Sequence, residues 1–226
     1  MSRQLRLKLE RNEGFSRKSL VVAASNSQAM EAIDAWPAWH GGVLALVGPE
    51  GVGKSHMAHI WARAVRAAAI PAAGPVDLSS LAGTPVLFED ADRTLGEREE
   101  LLFHLINMAS QPGGGLLLTA RAAPTAWPTA LADLRSRLNA LLVAEIEEPD
   151  DIILESLLRK LFRERNIRPG DDVIPYLLRR IERSAPKARE IVIRLDEAAD
   201  AEGRAISRAL ARQILETEPP TLDLFE

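Results

Sequence analysis

Two hydrophobic periods divide this chain. Up to about residue 146, short unbroken apolar runs alternate with stretches of helical period; beyond residue 152 every apolar repeat is helical. The runs Val43-Leu-Ala-Leu-Val47, Pro85-Val-Leu-Phe88, Leu116-Leu-Leu-Thr119 and Leu141-Leu-Val-Ala-Glu-Ile146 have the length and continuity of buried strands. Helices are predicted over 26–36, 54–69, 97–109 and 131–138, with one weak strand near Val76 in a Pro/Gly/Ala-rich connection. Ser25 or Asn26 is the predicted cap of the first helix, and Pro37 closes it. Strands alternating with helices predict a parallel sheet flanked by helices, with ligand at the carboxyl ends of the strands. The later part reads as four helices, 153–165, 172–183, 186–199 and 207–215, with Asp171 and Pro186 as helix starts. The predicted organisation is an extended segment 1–14, an α/β unit 15–149, a helical unit 150–215 and a flexible tail 216–226.

One junction in this pattern carries chemistry. Gly48, Pro49, Glu50, Gly51, Val52, Gly53, Lys54 and Ser55 follow the first buried strand and open a helix, which fits G-x-x-x-x-G-K-[ST] in its strand–loop–helix setting. Glycines let backbone N–H groups converge on phosphate oxygens. Lys54 places a charge by the β and γ phosphates, the Ser55 hydroxyl can ligate Mg²⁺, and the helix beginning around His56 adds its N-terminal partial positive charge. The expected ligand is ATP or ADP with Mg²⁺. The strand at 85–88 ends in Glu89 and Asp90, where a carboxylate beside a phosphate loop would serve the metal and the attacking water.

Composition narrows the classes. Of 226 residues, 46% are apolar and 27% charged, the balance of a soluble globular chain, and a net charge of −4 argues against a nucleic-acid-binding surface over the whole molecule. With no cysteine, disulfides and thiolate–zinc chemistry are excluded. His56 and His59 have only a casual spacing that reads as packing or surface. The region 150–215 holds 14 of the 28 Lys/Arg, interleaved with acids, as a solvated face would be. No run reaches membrane-spanning length and the leading segment alternates Leu with Arg and Lys, unlike a signal peptide, so the expectation is a cytoplasmic protein with no membrane partner. Within that segment, Gln4-Leu-Arg-Leu-Lys-Leu9 has strict period-two alternation. It fits an edge strand, or an extended peptide whose Leu5, Leu7 and Leu9 fill pockets on another protein with Gln4 as a hydrogen-bonding anchor.

Taken together, the phosphate loop, paired-acid strand, later strand with a polar end and helical lid resemble the AAA+ layout, and one branch matches further. Leu134-Arg-Ser-Arg-Leu138 followed by Val143-Ala-Glu-Ile-Glu-Glu-Pro-Asp150 resembles the box that carries the trans-acting arginine in DnaA-type replication initiators. Lys187-Ala-Arg-Glu-Ile191 is similar to their sensor-2 helix, and Phe15, Val21, Val22, Ser25 and Asn26 to the entrance of their nucleotide pocket. The sequence stops after the lid, and Gln4-Leu-Arg-Leu-Lys-Leu9 resembles the clamp-docking peptide of the Hda-type regulators, DnaA relatives without a DNA-binding domain. That resemblance implies a P-loop AAA+ core with a C-terminal helical lid, nucleotide contacts by the loop, His56 and Arg189, and clamp contacts by Gln4, Leu5, Leu7 and Leu9. It implies that Arg137 acts as an arginine finger on ATP held by DnaA, making the chain a negative regulator of replication initiation. Its partners would be the sliding clamp and DnaA, with DNA reached only through the clamp and a homodimer also compatible with a trans-acting finger. Thr221-Leu-Asp-Leu-Phe225 resembles a second clamp motif with Thr in place of Gln.

Two departures bear on catalysis. Glu89-Asp90 stands where initiators carry Asp-Asp, one methylene longer at the Mg²⁺ position, and Thr119-Ala-Arg121 stands where they carry a different polar-acidic end. Both imply weak hydrolysis by the chain itself, with bound ADP setting the lid. The alternative is an autonomous AAA+ ATPase, a helicase loader or remodelling factor.

Overall fold

All five residues of β1, Val43–Val47, are buried because they form the strand next to the sheet's edge, covered on both faces by helices. The computed structural model describes Arg17 and residues 20–217. The proposed docking peptide around Gln4, Leu5, Leu7 and Leu9, together with Phe15 and the Thr221–Phe225 motif, lies outside the described residues. Five parallel strands, β1, β2 (Ala68–Ala69), β3 (Val86–Phe88), β4 (Leu116–Ala120) and β5 (Leu142–Glu145), are ordered β2-β3-β4-β1-β5. Alternation along the strands divides the core in two. Leu44, Leu46, Leu87 and Leu117 face α1 (Ala24–Asp34) and α2 (Lys54–Val65). Val43, Ala45, Val47, Phe88, Leu116 and Leu118 face α3 (Ala91–Ala109) and α4 (Ala132–Asn139).

The remaining helices, α5 (Asp151–Glu164), α6 (Val173–Leu178), α7 (Ala185–Glu202) and α8 (Arg208–Glu216), close around a core of their own that includes Leu154, Leu158, Phe162, Val173, Leu177, Ile191 and Leu195. The starts of α5, α7 and α8 are built from side-chain caps. Asp150 accepts from Ile153 N–H at 2.9 Å, and Ser184 and Ser207 accept from Lys187 and Leu210 N–H at 3.3 Å each. Pro186 lies in the first turn of α7, as expected, whereas α6 is capped at Asp172, not Asp171, and ends at Leu178.

Three boundaries depart from the sequence reading. Arg66 takes a left-handed conformation (φ 57°) and ends α2, so that Ala68 and Ala69 pair with β3 and form the edge strand expected near Val76. Two alanines carry no strand signal, and neighbouring backbone decides their conformation. Helix α3 starts at Ala91 instead of 97, with an interruption at Arg98 (φ −131°, ψ 22°) whose guanidinium donates to Pro71 and Gly74 carbonyls at 2.7 and 3.0 Å. Asn26 is not the cap of α1 but its third residue: its Oδ1 accepts from Ala23 N–H at 2.9 Å while its Nδ2 donates to the Val21 carbonyl. Ser25 works at the junction to α5, its carbonyl accepting from Glu147 N–H at 3.0 Å and its hydroxyl from Asp150 N–H at 3.4 Å.

Candidate functional site

The chain leaves β1 through a loop whose backbone takes positive φ at Gly48, Gly51 and Gly53. Gly48 is buried at φ 148°, and a Cβ there would sit 2.3 Å from the Ile146 carbonyl oxygen. Gly51 (φ 76°) lies against α7: a Cβ would meet Pro186 Cδ at 2.2 Å, and the Gly51 carbonyl accepts from Ala185 N–H at 3.3 Å. Gly53 (φ 104°) precedes α2, which places the first N–H groups of that helix at the loop. The loop thus touches the lid directly. Gly51→Ala is expected to unfold about 2–8 °C lower than the wild type. Gly53→Ala also carries positive-φ strain but has open space around its Cβ; differential scanning calorimetry of the two variants sets the lid contact against the backbone cost.

Lys54 is 8% exposed, and its ammonium donates to the Gly48 and Pro49 carbonyls at 2.7 and 2.6 Å. Burial lowers its pKa below the ordinary 10.5, and the Arg121 charge lowers it further, against the opposing pull of Asp90, Asp92 and Glu50. A buried cation whose hydrogen bonds among the described residues go to two neutral carbonyls is poised for an anion. With three glycines at positive φ in the loop and a helix N-terminus behind it, the loop fits a phosphate chain.

Beside the loop, a cleft of about 590 Å³ is lined by Ser55, Glu89, Asp90, Arg93 and Thr94 on its polar side and Ile70, Ala72 and Phe88 on its apolar side. Ser55 and the two acids therefore line the same cleft. Asp90 adopts φ 49°, a conformation Asp tolerates, and its N–H donates to the buried Thr119 hydroxyl at 3.0 Å. Glu89 is engaged: His59 Nε2 lies 3.0 Å from its Oε2. The carboxylate expected at the Mg²⁺ position is thus shared with α2. Among the described residues no group of three or more His, Cys, Asp or Glu could hold a metal alone. A Mg²⁺ ion here would take Ser55 and an acid from the protein and the rest of its shell from phosphate and water.

Sequence reasoning did not assign Arg121 to the loop. It follows β4, its N–H donates to Asp92 Oδ2 at 2.9 Å, and its guanidinium pairs with Glu50 on the loop. The one signal available was position, a cation just beyond the carboxyl end of a strand neighbouring β1.

Farther away, Arg137 stands in the last turn of α4, exposed, with its guanidinium carbon 4.9 Å above the Phe103 ring. Two residues earlier, Arg135 donates to the Thr125 and Trp127 carbonyls at 3.2 and 2.5 Å and ties the helix to the preceding turn. No acid pairs with Arg137 among the described residues. Arg189, on α7, is also exposed, and Glu190 takes Lys187 and Arg194 as partners, leaving Arg189 without an ion pair among the described residues.

Domain III of the Thermotoga maritima replication initiation protein DnaA superposes with a TM-score of 0.73 at 18% identity, covering 89% of this chain and 95% of that one. The chain has the AAA+ fold of DnaA domain III. AMPPCP-bound DnaA from Aquifex aeolicus (TM-score 0.66, 17% identity, 87% of this chain and 68% of that one) and Thermotoga maritima RuvB (0.62, 20%, 85% and 67%) share it. No protein-family model matches the chain. Chromosomal replication initiator proteins DnaA from Thermomicrobium roseum and Sphingopyxis alaskensis are 28% and 32% identical over 117 and 102 residues, covering 52% and 44% of this chain. The chain spans about a quarter of the length of these relatives, 25% and 22%. Among the described residues no helix is long and apolar enough to cross a membrane.

Proposed function

We propose that this chain is a nucleotide-loaded AAA+ adaptor of the Hda type, which docks on the sliding clamp and stimulates ATP hydrolysis on DnaA by presenting Arg137. The observation that carries this reading is the contrast between two arginines two residues apart on α4, and so on different faces of the helix. Arg135 is consumed by carbonyls of its own fold, whereas Arg137 stays exposed and rests on Phe103. A guanidinium stacked on a ring keeps its five donors free for a phosphate supplied by another molecule. The surroundings support a partner surface: Leu131 at one end of α4 and Leu142 and Val143 on the edge strand β5 are 37–40% exposed. Similarity to DnaA initiators, and the AMPPCP held by the Aquifex aeolicus neighbour, support a replication role and an adenine nucleotide, ADP or ATP.

In this reading the loop and Lys54 bind the phosphates, Ser55 and an acid hold Mg²⁺, Arg189 reaches from the lid, and the nucleotide fixes the lid through the Gly51–Pro186 contact. Engagement of Glu89 by His59 favours weak intrinsic turnover over an autonomous ATPase or helicase loader. Gln4, Leu5, Leu7 and Leu9 dock on the clamp, and DNA is reached through it. The test is DnaA's ATP turnover on DNA-loaded clamp, with and without this protein. Leu5→Ala combined with Leu7→Ala is expected to abolish retention on immobilised clamp, read by surface plasmon resonance; retention by the double variant would move docking to Thr221–Phe225.

A further inference from the structure

Many arginines of the helical unit have a carboxylate of their own: Arg159, Arg183, Arg204 and Arg212 each hold one at 2.6–2.7 Å. Arg180 and Arg208 do not. Neither makes an ion pair among the described residues, although Asp171 and Asp172 stand exposed at the start of α6. Both lie over one ring instead. The guanidinium carbon of Arg180, just beyond α6, is 4.2 Å from the Tyr176 ring centroid, and that of Arg208, the first residue of α8, is 5.2 Å away. Tyr176 is 7% exposed, whereas both arginines are exposed.

This placing carries a cost. Two like charges drawn to one ring repel, and Arg208 stands in the first turn of a nine-residue helix, where the dipole disfavours a cation. Attraction to the ring offsets part of that cost and fixes the guanidinium planes while leaving their N–H groups open. The backbone adds donors. Ser207 Oγ takes the Leu210 N–H at 3.3 Å, and the N–H groups of Arg208 and Ala209 find no acceptor among the described residues. Two unpaired cations beside free helix N–H groups are complementary to an anion.

The rest of the surface narrows the kind of anion. Among the described residues the exposed large apolar side chains are Val22, Leu131, Leu142, Val143 and Ile152, none of them on α6 or α8. A protein interface draws on a buried apolar centre and a membrane surface on an apolar wedge. Neither is present at this patch. A phosphodiester backbone needs only charge and the fork geometry of guanidinium.

We propose that Arg180 and Arg208, aligned on Tyr176, form a contact site for the phosphate backbone of DNA. This goes beyond the docking proposed above, in which DNA is reached through the clamp, and it does not involve Arg137. Contacts of this kind position a protein without reading sequence, so the site takes duplex of any sequence. With a net charge of −4 on the whole chain, the contact is confined to this patch.

Fluorescence anisotropy of a labelled DNA duplex with the full chain, without clamp or DnaA and over a range of salt, tests this. Wild type is expected to bind at low salt. Arg180→Ala combined with Arg208→Ala is expected to weaken binding about tenfold or more and to lower the slope of log affinity against log salt by about two, with an unchanged unfolding temperature. Tyr176→Phe, which keeps the ring, is expected to bind as wild type does, and so is Arg17→Ala, which removes a cation from the α/β unit. A wild type that does not bind duplex at low salt, an unchanged slope in the double variant, or an equal loss in Arg17→Ala overturns the assignment. Polyglutamate bound as tightly as duplex, and lost equally in the double variant, would make the patch a site for acidic protein and overturns it too. Because clamp and DnaA are absent, a negative result defeats this inference and leaves the proposed action of Arg137 standing.

Discussion

Replacing Lys54 by Ala is expected to reduce adenine nucleotide affinity by about a hundredfold, with little effect on folding. The two halves of that statement have separate causes. The ammonium is buried and its pKa is lowered chiefly by that burial, so the folded chain carries a cation it solvates poorly. Its bonds to the Gly48 and Pro49 carbonyls offset part of this cost; Gly48 is buried but Pro49 is exposed, so water can replace the lost donor at the Pro49 carbonyl. Phosphate oxygens would supply the missing negative charge, and that interaction disappears with the side chain. Calorimetric titration with ADP, together with thermal unfolding of the unliganded variant, checks both halves. Unchanged affinity would mean that the loop is a turn and not a phosphate site.

Arg137→Ala is expected to leave nucleotide binding, clamp binding and stability close to wild type while removing stimulation of DnaA's ATP hydrolysis. An arginine supplied in trans neutralises charge that develops on the transferring phosphoryl group, a contribution of roughly 10³ to 10⁵ in rate. Within its own fold the side chain makes one exposed contact with Phe103, worth about 0.5–1 kcal/mol. The disparity between those two magnitudes makes this variant informative: function is lost without a folding defect to explain it. Arg135→Ala is the matched control, since its guanidinium joins α4 to the Thr125 and Trp127 carbonyls and its loss is felt as stability.

How far these features could be read from the chain depended on whether their cause was local. The strand–loop–helix turn at 43–65 was legible because strand, glycines, Lys54 and helix are contiguous. So were β1 and β4, whose unbroken apolar runs reflect burial on both faces, and the start of α7 at Pro186, though not the Ser184 cap before it. Strand β2 was not, because Ala68 and Ala69 become a strand only when Arg66 reverses the chain onto β3. The first half of α3 was hidden by Gly96 and by the break at Arg98, although Leu95 is buried there. At the site, the residue types at Glu89 and Arg121 were visible and their partners were not. His59 lies 30 positions before Glu89 and Glu50 lies 71 before Arg121, separations at which spacing carries no pairing information.

The most direct measurement is DnaA's rate of ATP hydrolysis on DNA-loaded clamp in the presence of this protein or its Arg137→Ala variant. The account predicts strong acceleration by the wild type and none by the variant, at equal occupancy of the clamp. Equal acceleration by both would contradict it and remove Arg137 from the mechanism.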